Sequence, residues 1–121
     1  MPCSPVPRSS IPKDDAVYLS HMLEMASKVA QKLEGIARSD YDNDENLRLA
    51  LTHLLQVIGE AASRVSHDLR VANPQIEWTA IIGMRQKVVH DYMNVDEDIV
   101  WETAARDIPP LISALEPLVG R

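Results

Sequence analysis

Two long segments of the sequence repeat apolar residues at spacings of three and four, the pattern of helices that bury one face. The first begins after Asp14 or Asp15, either of which can cap a helix, and ends near Gly35. The second ends where Pro74 would break a helix. A short polar run, RSDYDNDEN, separates them, so we expect two antiparallel helices. The stripes comprise Leu19, Met22, Leu23, Ala26, Val29, Ala30, Leu33 and Ile36, then Leu47, Leu51, Leu54, Leu55, Ile58, Ala62, Val65 and Leu69.

The side chains available for the interior favour helices over strands. The 121-residue chain has no Phe and only 4% aromatic residues, so its core must be built from Leu, Ile, Val, Ala and Met. That set suits helix packing better than a sandwich of aromatic strands. The sequence therefore predicts an all-α fold, with one helical domain at residues 14–121 and a flexible Pro- and Ser-rich leader at residues 1–13.

Shorter helices are expected after Pro74. The segment EWTAIIG allows one or two turns before Gly83, and the helix that carries the sequence MRQKVVHDY begins there. Asp96, followed by acids in the next turn, predicts the N-cap of another helix. Pro109 and Pro110 then predict a kink or a restart, because proline interrupts the helical hydrogen bonds.

Charge is unevenly distributed along the chain. The net charge of −6 argues against a protein that coats nucleic acid by electrostatics alone. Residues 60–90 nevertheless carry four basic and three acidic side chains, a local +1, whereas residues 91–107 carry six acids and one arginine, a local −5. An acidic chain can therefore contain a small cationic site.

Targeting and cofactor signals are missing from the sequence. The N-terminal segment lacks an apolar signal sequence and no apolar run approaches the ~18 residues of a transmembrane helix, so we expect a cytoplasmic protein without membrane contact. Cys3 is the only cysteine, and His21, His53 and His67 lack metal-ligand spacing. Helix capping explains the acidic cluster DEDIVWE more economically than a divalent-cation site does. With no glycine-rich phosphate-binding motif either, we predict no metal and no cofactor.

The segment MRQKVVHDY places three potential functional groups close together. Arg85 can hold a phosphate through its planar guanidinium and stabilise the added charge of a transition state, and His90 can move protons near neutral pH. These two suffice, without a metal, for attack of an RNA 2′-hydroxyl on the neighbouring phosphorus. The Tyr92 hydroxyl could hydrogen-bond the phosphate or itself be modified. The alternative is that all three are solvent-facing polar groups of a helix.

Helical geometry does not bring these groups together within one regular helix. At ~100° per residue, Arg85 and His90 point roughly 140° apart, whereas Arg85 and Tyr92 lie within about 20° of each other. They converge if the helix begins irregularly after Gly83, if Arg85 reaches around it, or if a second subunit completes the site. Glu60, beside the second apolar stripe, could pair with Arg85 or orient His90, or it could be only a surface acid.

The ordered set of motifs resembles a known family. Arg85, His90 and Tyr92 form an R-x4-H-x-Y motif, and the segments VIGEAASRV, NPQIEWTAIIGMRQKVVHDYMNVDEDIVWET and DIPPLISAL follow in that family's order and spacing. Over residues 14–119 the chain is similar to the HepT-like (DUF86) branch of the HEPN superfamily, toxins of the HepT/MntA type of toxin–antitoxin system.

The resemblance implies an up-and-down helical bundle that forms a homodimer, with the motifs of two subunits facing one cleft. It implies a metal-independent RNase with Arg85 and His90 as catalytic residues. It also implies a partner, a cognate nucleotidyltransferase antitoxin of the MNT type, which transfers AMP to Tyr92. Glu60, Gln86 and Lys87 are candidate supporting residues, and Gln86 stands where this family commonly has Asn.

Two other functions compete with that of an RNase toxin. The same cleft could belong to a non-catalytic module that binds a nucleotide or docks the nucleotidyltransferase, and a third possibility is a structural helical dimer without chemistry. Asp91 bears on this choice, because a carboxylate between His90 and Tyr92 would oppose a phosphate if it faced the cleft. An activity assay separates the RNase from the binding module.

Overall fold

The computed structural model describes residues 11–88 and 94–120, and their regular elements are helices. The two longest, α1 (Lys13–Lys32) and α3 (Glu45–Arg64), pack against each other. The predicted all-α fold is confirmed for these residues. The other elements are α2 (Arg38–Asp42), α4 (His67–Ala72), α5 (Trp78–Ile82), α6 (Met84–Val88), α7 (Glu97–Glu102), a π-helical segment (Thr103–Asp107) and α8 (Ile108–Val119).

The apolar stripes predicted from the sequence form one core. Leu19, Met22 and Ala26 of α1 and Leu55 and Ile58 of α3 are fully buried. Each buried Leu, Ile or Met contributes about 1.5–3 kcal/mol by leaving water, so this interface is a main source of stability. Helix α8 packs on α1 as well. Within the described residues, no helix has both the length and the apolar character needed to cross a membrane.

The second predicted helix is interrupted, which corrects the expectation of one helix reaching almost to Pro74. Helix α3 ends at Arg64, and the next residue, Val65, is extended, with φ −68° and ψ 137°. The side chain of Ser66 then caps the separate helix α4. The apolar spacing continues through this break because Val65 and Leu69 are both buried in the same core, so spacing alone could not reveal it.

Asp15 explains why the chain breaks there. Its carboxylate accepts hydrogen bonds from the backbone N–H of Ser66 at 2.8 Å and from the Ser66 hydroxyl at 2.6 Å. The expected capping of α1 by Asp14 or Asp15 is therefore wrong, since Pro12 is the N-cap and no side chain caps the helix. Because Asp15 is at the start of α1 and Ser66 follows the end of α3, α1 and α3 are antiparallel, as predicted. A buried carboxylate needs such partners to offset its desolvation.

The polar connection between the long helices contains a helix rather than a plain loop. Tyr41 of α2 is fully buried, its ring lies 5.4 Å from that of Trp101, and its hydroxyl donates to Glu97 Oε1 at 2.6 Å. Arg48 of α3 reaches the other oxygen of Glu97 at 3.3 Å, and Arg38 bonds to Asp98 at 2.7 Å. These bonds fasten α2 and α3 to the first turn of α7. Burial, followed by the bond to Glu97, raises the pKa of Tyr41.

The C-terminal helices follow the sequence-based expectations closely. Asp96 accepts a hydrogen bond from the N–H of Ile99 and is the N-cap of α7, as predicted. Helix α8 restarts after the π-helical segment, with Pro109 and Pro110 in its first turn. A proline is tolerated there because a first-turn N–H has no partner within the helix. The predicted kink or restart corresponds to a change in helix type, with no break between the helical residues 97–119.

Gly59 sets the distance between α3 and the α5–α6 turn. A Cβ atom on Gly59 would lie 2.9 Å from the backbone oxygen of Ile81 and 3.8 Å from the backbone nitrogen of Arg85. Trp78 fixes the start of α5 against the preceding turn, since its indole N–H donates to the Asn73 carbonyl at 2.9 Å. The lack of a side chain at Gly59 thus permits direct backbone contact at this crossing.

Replacing Gly59 tests this crossing. We expect Gly59→Ala to lower the free energy of unfolding by about 1–3 kcal/mol, because the added methyl group overpacks against backbone that cannot rotate away. Helix propensity alone predicts the opposite, a gain of about 1 kcal/mol. Urea unfolding measures the change, and His53→Ala, at an exposed position of the same helix, is the control. A Gly59→Ala protein as stable as the wild type would contradict the close contact.

The raised pKa of Tyr41 predicts a loss of stability at alkaline pH. Tyrosine ordinarily ionises near pH 10, so above that pH the unfolded chain loses its Tyr41 proton before the folded chain does. The stability that Tyr41 provides is therefore complete below about pH 10 and decreases above it. We expect Tyr41→Phe to cost about 1.5–3 kcal/mol at pH 7, the scale of a hydrogen bond to a charged group. This difference should shrink as the pH rises past 10, which denaturant unfolding of both proteins at each pH can measure. A difference independent of pH would refute the role of the hydroxyl.

Candidate functional site

Helix α6 presents its polar residues to solvent because its two apolar residues anchor it. Met84 and Val88, four positions apart and hence on one face, are buried. Arg85, Gln86 and Lys87 lie between them and are exposed. The sequence MRQKV therefore forms a short helix whose basic side chains are available for contacts outside the core.

Glu60 of α3 lies against Arg85. The Arg85 Nη1 donates to Glu60 Oε2 at 2.8 Å, and the other oxygen, Oε1, accepts from Arg64 Nε at 3.2 Å and contacts Arg64 Nη2 at 3.1 Å. One carboxylate is thus shared by two guanidinium groups. The close crossing at the adjacent Gly59 brings α3 near enough to α6 for this pair to form.

The Glu60–Arg85 pair is exposed, which limits its strength. The side chains are 43% and 61% exposed, respectively, and ion pairs of this kind contribute about 0–1 kcal/mol. The carboxylate therefore orients Arg85 without locking it in place. Two arginines share one glutamate, so the cluster of Arg64, Arg85 and Glu60 has a net charge of +1 and can attract an anion such as a phosphate group.

Two of the predicted site residues, His90 and Tyr92, lie outside the described residues, as does Asp91. A hydrogen bond joins the residues that precede and follow this segment: the backbone N–H of Asp96 donates to the carbonyl of Val88 at 2.8 Å. The start of α7 therefore lies beside the end of α6. The catalytic role of His90 and the modification of Tyr92 stay predictions.

The two remaining predicted residues are Gln86 and Lys87, which follow Arg85 on α6. Lys87 lines a different groove, of about 350 Å³, between α5, α6 and α8, together with Glu77 and Asp107. Gln86 is exposed on α6. The structure thus brings Arg85 and Glu60 together and places Lys87 at another surface.

The acids around the start of α7 bond to other parts of the chain. Asp96 caps the helix, Glu97 bonds to Tyr41 and Arg48, and Asp98 bonds to Arg38. Within residues 11–88 and 94–120, no group of three or more His, Cys, Asp or Glu side chains is close enough to hold a metal ion.

Sequence reasoning did not weigh two residues that shape the site. Gly59 interrupts a strong apolar stripe in the middle of a long helix, and a glycine at such a position indicates a close approach by another element. Arg64 is four residues after Glu60, the helical spacing at which opposite charges meet. Both signals were present in the segment VIGEAASRV.

Comparisons with known proteins identify a family and several relatives. The family model described as Ribonuclease HepT-like matches residues 22–118, which include Glu60 and Arg85. A Caldanaerobacter subterraneus protein named "Putative RNase TTE0752" is 34% identical over 104 residues, covering 86% of this chain and 93% of the relative. A Thermococcus cleftensis protein named "Probable ribonuclease HepT" is 31% identical over 101 residues, covering 84% and 92%. No solved structure gave a significant match.

The family match extends over most of the chain rather than over the motif alone. It begins within α1 and ends within α8, so it includes every helix that surrounds the Glu60–Arg85 pair. The resemblance inferred from the sequence motifs is confirmed. The chain belongs to the ribonuclease HepT-like family.

Proposed function

We propose that the protein is a metal-independent endoribonuclease, the toxin of a toxin–antitoxin pair, in which Arg85 holds the scissile phosphate and His90 transfers protons. The observation that carries the proposal is the exposed Arg85 guanidinium, held by Glu60 within the segment that matches the family. Relatives that align with more than four-fifths of the chain have ribonuclease names, which supports the same chemistry.

The proposed reaction is attack of an RNA 2′-oxygen on the adjacent phosphorus. The new bond joins the 2′-oxygen to phosphorus, and the bond from phosphorus to the 5′-oxygen of the next nucleotide breaks. The 2′-hydroxyl loses its proton to a base and the 5′-oxygen gains one from an acid, so the products are a 2′,3′-cyclic phosphate and a 5′-hydroxyl. Histidine suits both proton transfers. Arg85 compensates the negative charge that accumulates on the phosphoryl oxygens.

Glu60 has a positioning role in this proposal. Its bond to Nη1 directs the Arg85 guanidinium, and the weakness of an exposed ion pair leaves the arginine able to turn towards a phosphate. A phosphate offers a second anionic partner that the guanidinium can bind through two parallel hydrogen bonds. Glu60 therefore aligns Arg85 before the substrate arrives.

A homodimer would supply the second histidine. Arg85 and His90 point roughly 140° apart on a regular helix, so one subunit does not direct both at one phosphorus unless the helix is irregular. Two motifs facing each other give one cleft with two His90 side chains, one acting as base and one as acid. Sedimentation of the purified protein tests whether it is a dimer.

The proposed control of activity is covalent. A nucleotidyltransferase partner would transfer AMP from ATP to the Tyr92 hydroxyl, forming a tyrosyl phosphodiester and releasing pyrophosphate. The attached phosphate has a charge of about −1 and would compete for Arg85, two helical turns back on the same side of a regular helix. Modified protein would then be unable to bind RNA.

Cleavage assays test the catalytic proposal. The purified protein should cut RNA in EDTA and leave 2′,3′-cyclic phosphate ends. His90→Ala should lower the rate roughly 10²-fold or more, the usual scale for a positioned acid or base. Arg85→Ala should cost at least as much through lost charge stabilisation, on the order of 10²–10³-fold.

Matched controls separate this site from general charge effects. Arg106→Ala and His53→Ala remove an exposed arginine and an exposed histidine elsewhere, and both should leave cleavage unchanged. Cleavage that requires Mg²⁺, or that survives both Arg85→Ala and His90→Ala, would contradict the mechanism. RNA binding without any cleavage by the wild type would favour the non-catalytic module.

Mass spectrometry tests the proposed modification. Incubation with the cognate nucleotidyltransferase, ATP and Mg²⁺ should add one or more adenylyl groups to the wild type and none to Tyr92→Phe, because phenylalanine has no hydroxyl to accept AMP. The modified wild type should lose RNA cleavage. An equal gain in mass on Tyr92→Phe would move the acceptor to another residue, and no gain on the wild type would leave complex formation as the means of control.

A further inference from the structure

A second groove is lined in part by Glu60, the glutamate that bonds to Arg85. It runs between α1 and α3 and has a volume of about 310 Å³, at the small end of the ~300–1,000 Å³ range of ligand sites. Apolar residues of α1 and α3 line the groove together with three charged residues, the acids Glu24 and Glu60 and the base Arg64. The lining residues that matter here are Tyr18, His21, Met25, Val57, Glu60 and Arg64.

Two rings line one wall of the groove. The centroids of Tyr18 and His21 are 6.4 Å apart and their planes meet at 79°, an edge-to-face contact. Tyr18 is partly buried against the core, which restricts its motion, whereas His21 is exposed. Aromatic and imidazole rings are the usual stacking partners of unpaired RNA bases, and arginine guanidinium planes stack on bases as well.

The groove is continuous with the candidate phosphate site. Glu60 lines it, and the same carboxylate bonds to Arg85 on one oxygen and to Arg64 on the other. Arg64 also lines the groove. Both guanidinium groups therefore bond to a glutamate that lines the same groove as the two rings. A nucleotide has a matching arrangement, because its base and its phosphate are both attached to one ribose.

We propose that this groove binds one nucleobase of an RNA strand while Arg85 holds the neighbouring phosphate. The base stacks on the exposed ring of His21, whose orientation the edge-to-face contact with Tyr18 restricts. Met25 and Val57 cover its other apolar surface, and Arg64 contacts the strand. The proposal rests on the proposed ribonuclease function and adds to it a base subsite beside the scissile phosphate. Arg64 and Arg85 attract an anionic strand, while Glu24, the second acid of the groove, lies 4.0 Å from Lys28. An acidic peptide would also be attracted by the arginines, so the rings are what distinguish an RNA strand from it.

The test uses an RNA that the protein cannot cut. A single-stranded 2′-O-methyl oligoribonucleotide lacks the attacking hydroxyl, and a 2-aminopurine base is placed at each position in turn. Stacking quenches 2-aminopurine fluorescence, so one position beside the bound phosphate should be quenched by the wild type. Tyr18→Ala and His21→Ala should each abolish that quenching and weaken binding roughly 5- to 100-fold, the range for loss of one base–aromatic stack. Tyr18→Phe keeps a stacking ring and should bind as the wild type does.

Controls distinguish a base subsite from a general effect. His53→Ala removes an exposed ring elsewhere on α3 and should leave both affinity and quenching unchanged. An abasic nucleotide at the quenched position should weaken binding to the wild type and have no further effect on His21→Ala. His21 is exposed, so its replacement tests the proposal even if Tyr18→Ala unfolds the protein.

The outcomes separate the subsite from the function on which it rests. If Tyr18→Ala and His21→Ala bind and quench like the wild type while Arg85→Ala loses cleavage, the subsite is wrong and the ribonuclease stands. A wild type that neither binds nor cleaves RNA overturns both. If sedimentation shows that the ring variants lose binding because they lose a dimer, the groove is a subunit contact and the base subsite is wrong.

Discussion

Burial of the apolar side of α3 is the interaction on which the other elements depend. Helix α3 contacts α1, α2, α5, α6 and α7, so it is the common support for the rest of the fold. Its apolar residues are buried against α1, and Gly59 lets the α5–α6 turn approach its backbone directly. The next residue, Glu60, holds Arg85. Packing and the candidate site are therefore built on neighbouring positions of one helix.

Local charge explains how an acidic chain can present an arginine that is available to an anion. Charges on a protein surface are screened over about 8–10 Å at physiological ionic strength, so the groups nearest a ligand matter more than the net charge of −6. Arg64 and Arg85 outnumber Glu60 in their cluster, while Glu97 and Asp98 are paired with Arg48 and Arg38. The two acids in the first turn of α7 are thus compensated by the arginines beside them.

The α1–α3 pair has an apolar interior and an outer groove lined by polar and aromatic side chains. Its interior is the apolar core, and Asp15 fastens one end of it to the break after α3. Its outer edge is a groove with Tyr18, His21 and Arg64, which ends at the glutamate that binds Arg85. A ligand in this groove would contact α3, the helix that also holds Glu60 beside Arg85, so the proposed base subsite and the proposed phosphate site would share one helix.

The sequence by itself determined the helical class, the two apolar stripes, the N-cap at Asp96 and an irregularity of the last helix near Pro109, because periodicity, capping and proline effects depend on residues a few positions apart. It also determined the family, through motifs spread over most of the chain. From the sequence, pairing with Arg85 was only one of several possible roles for Glu60.

Tertiary structure alone decided the features that join distant residues. Arg85 and Glu60 are 25 residues apart, Ser66 and Asp15 are 51 apart, and Tyr41 and Glu97 are 56 apart. The break after α3, the burial of Tyr41 within a polar segment and the close crossing at Gly59 follow from such pairs. Helical spacing shows which side of its own helix a residue occupies, whereas these contacts depend on how separate helices pack. That packing is fixed only when the whole apolar surface is buried at once.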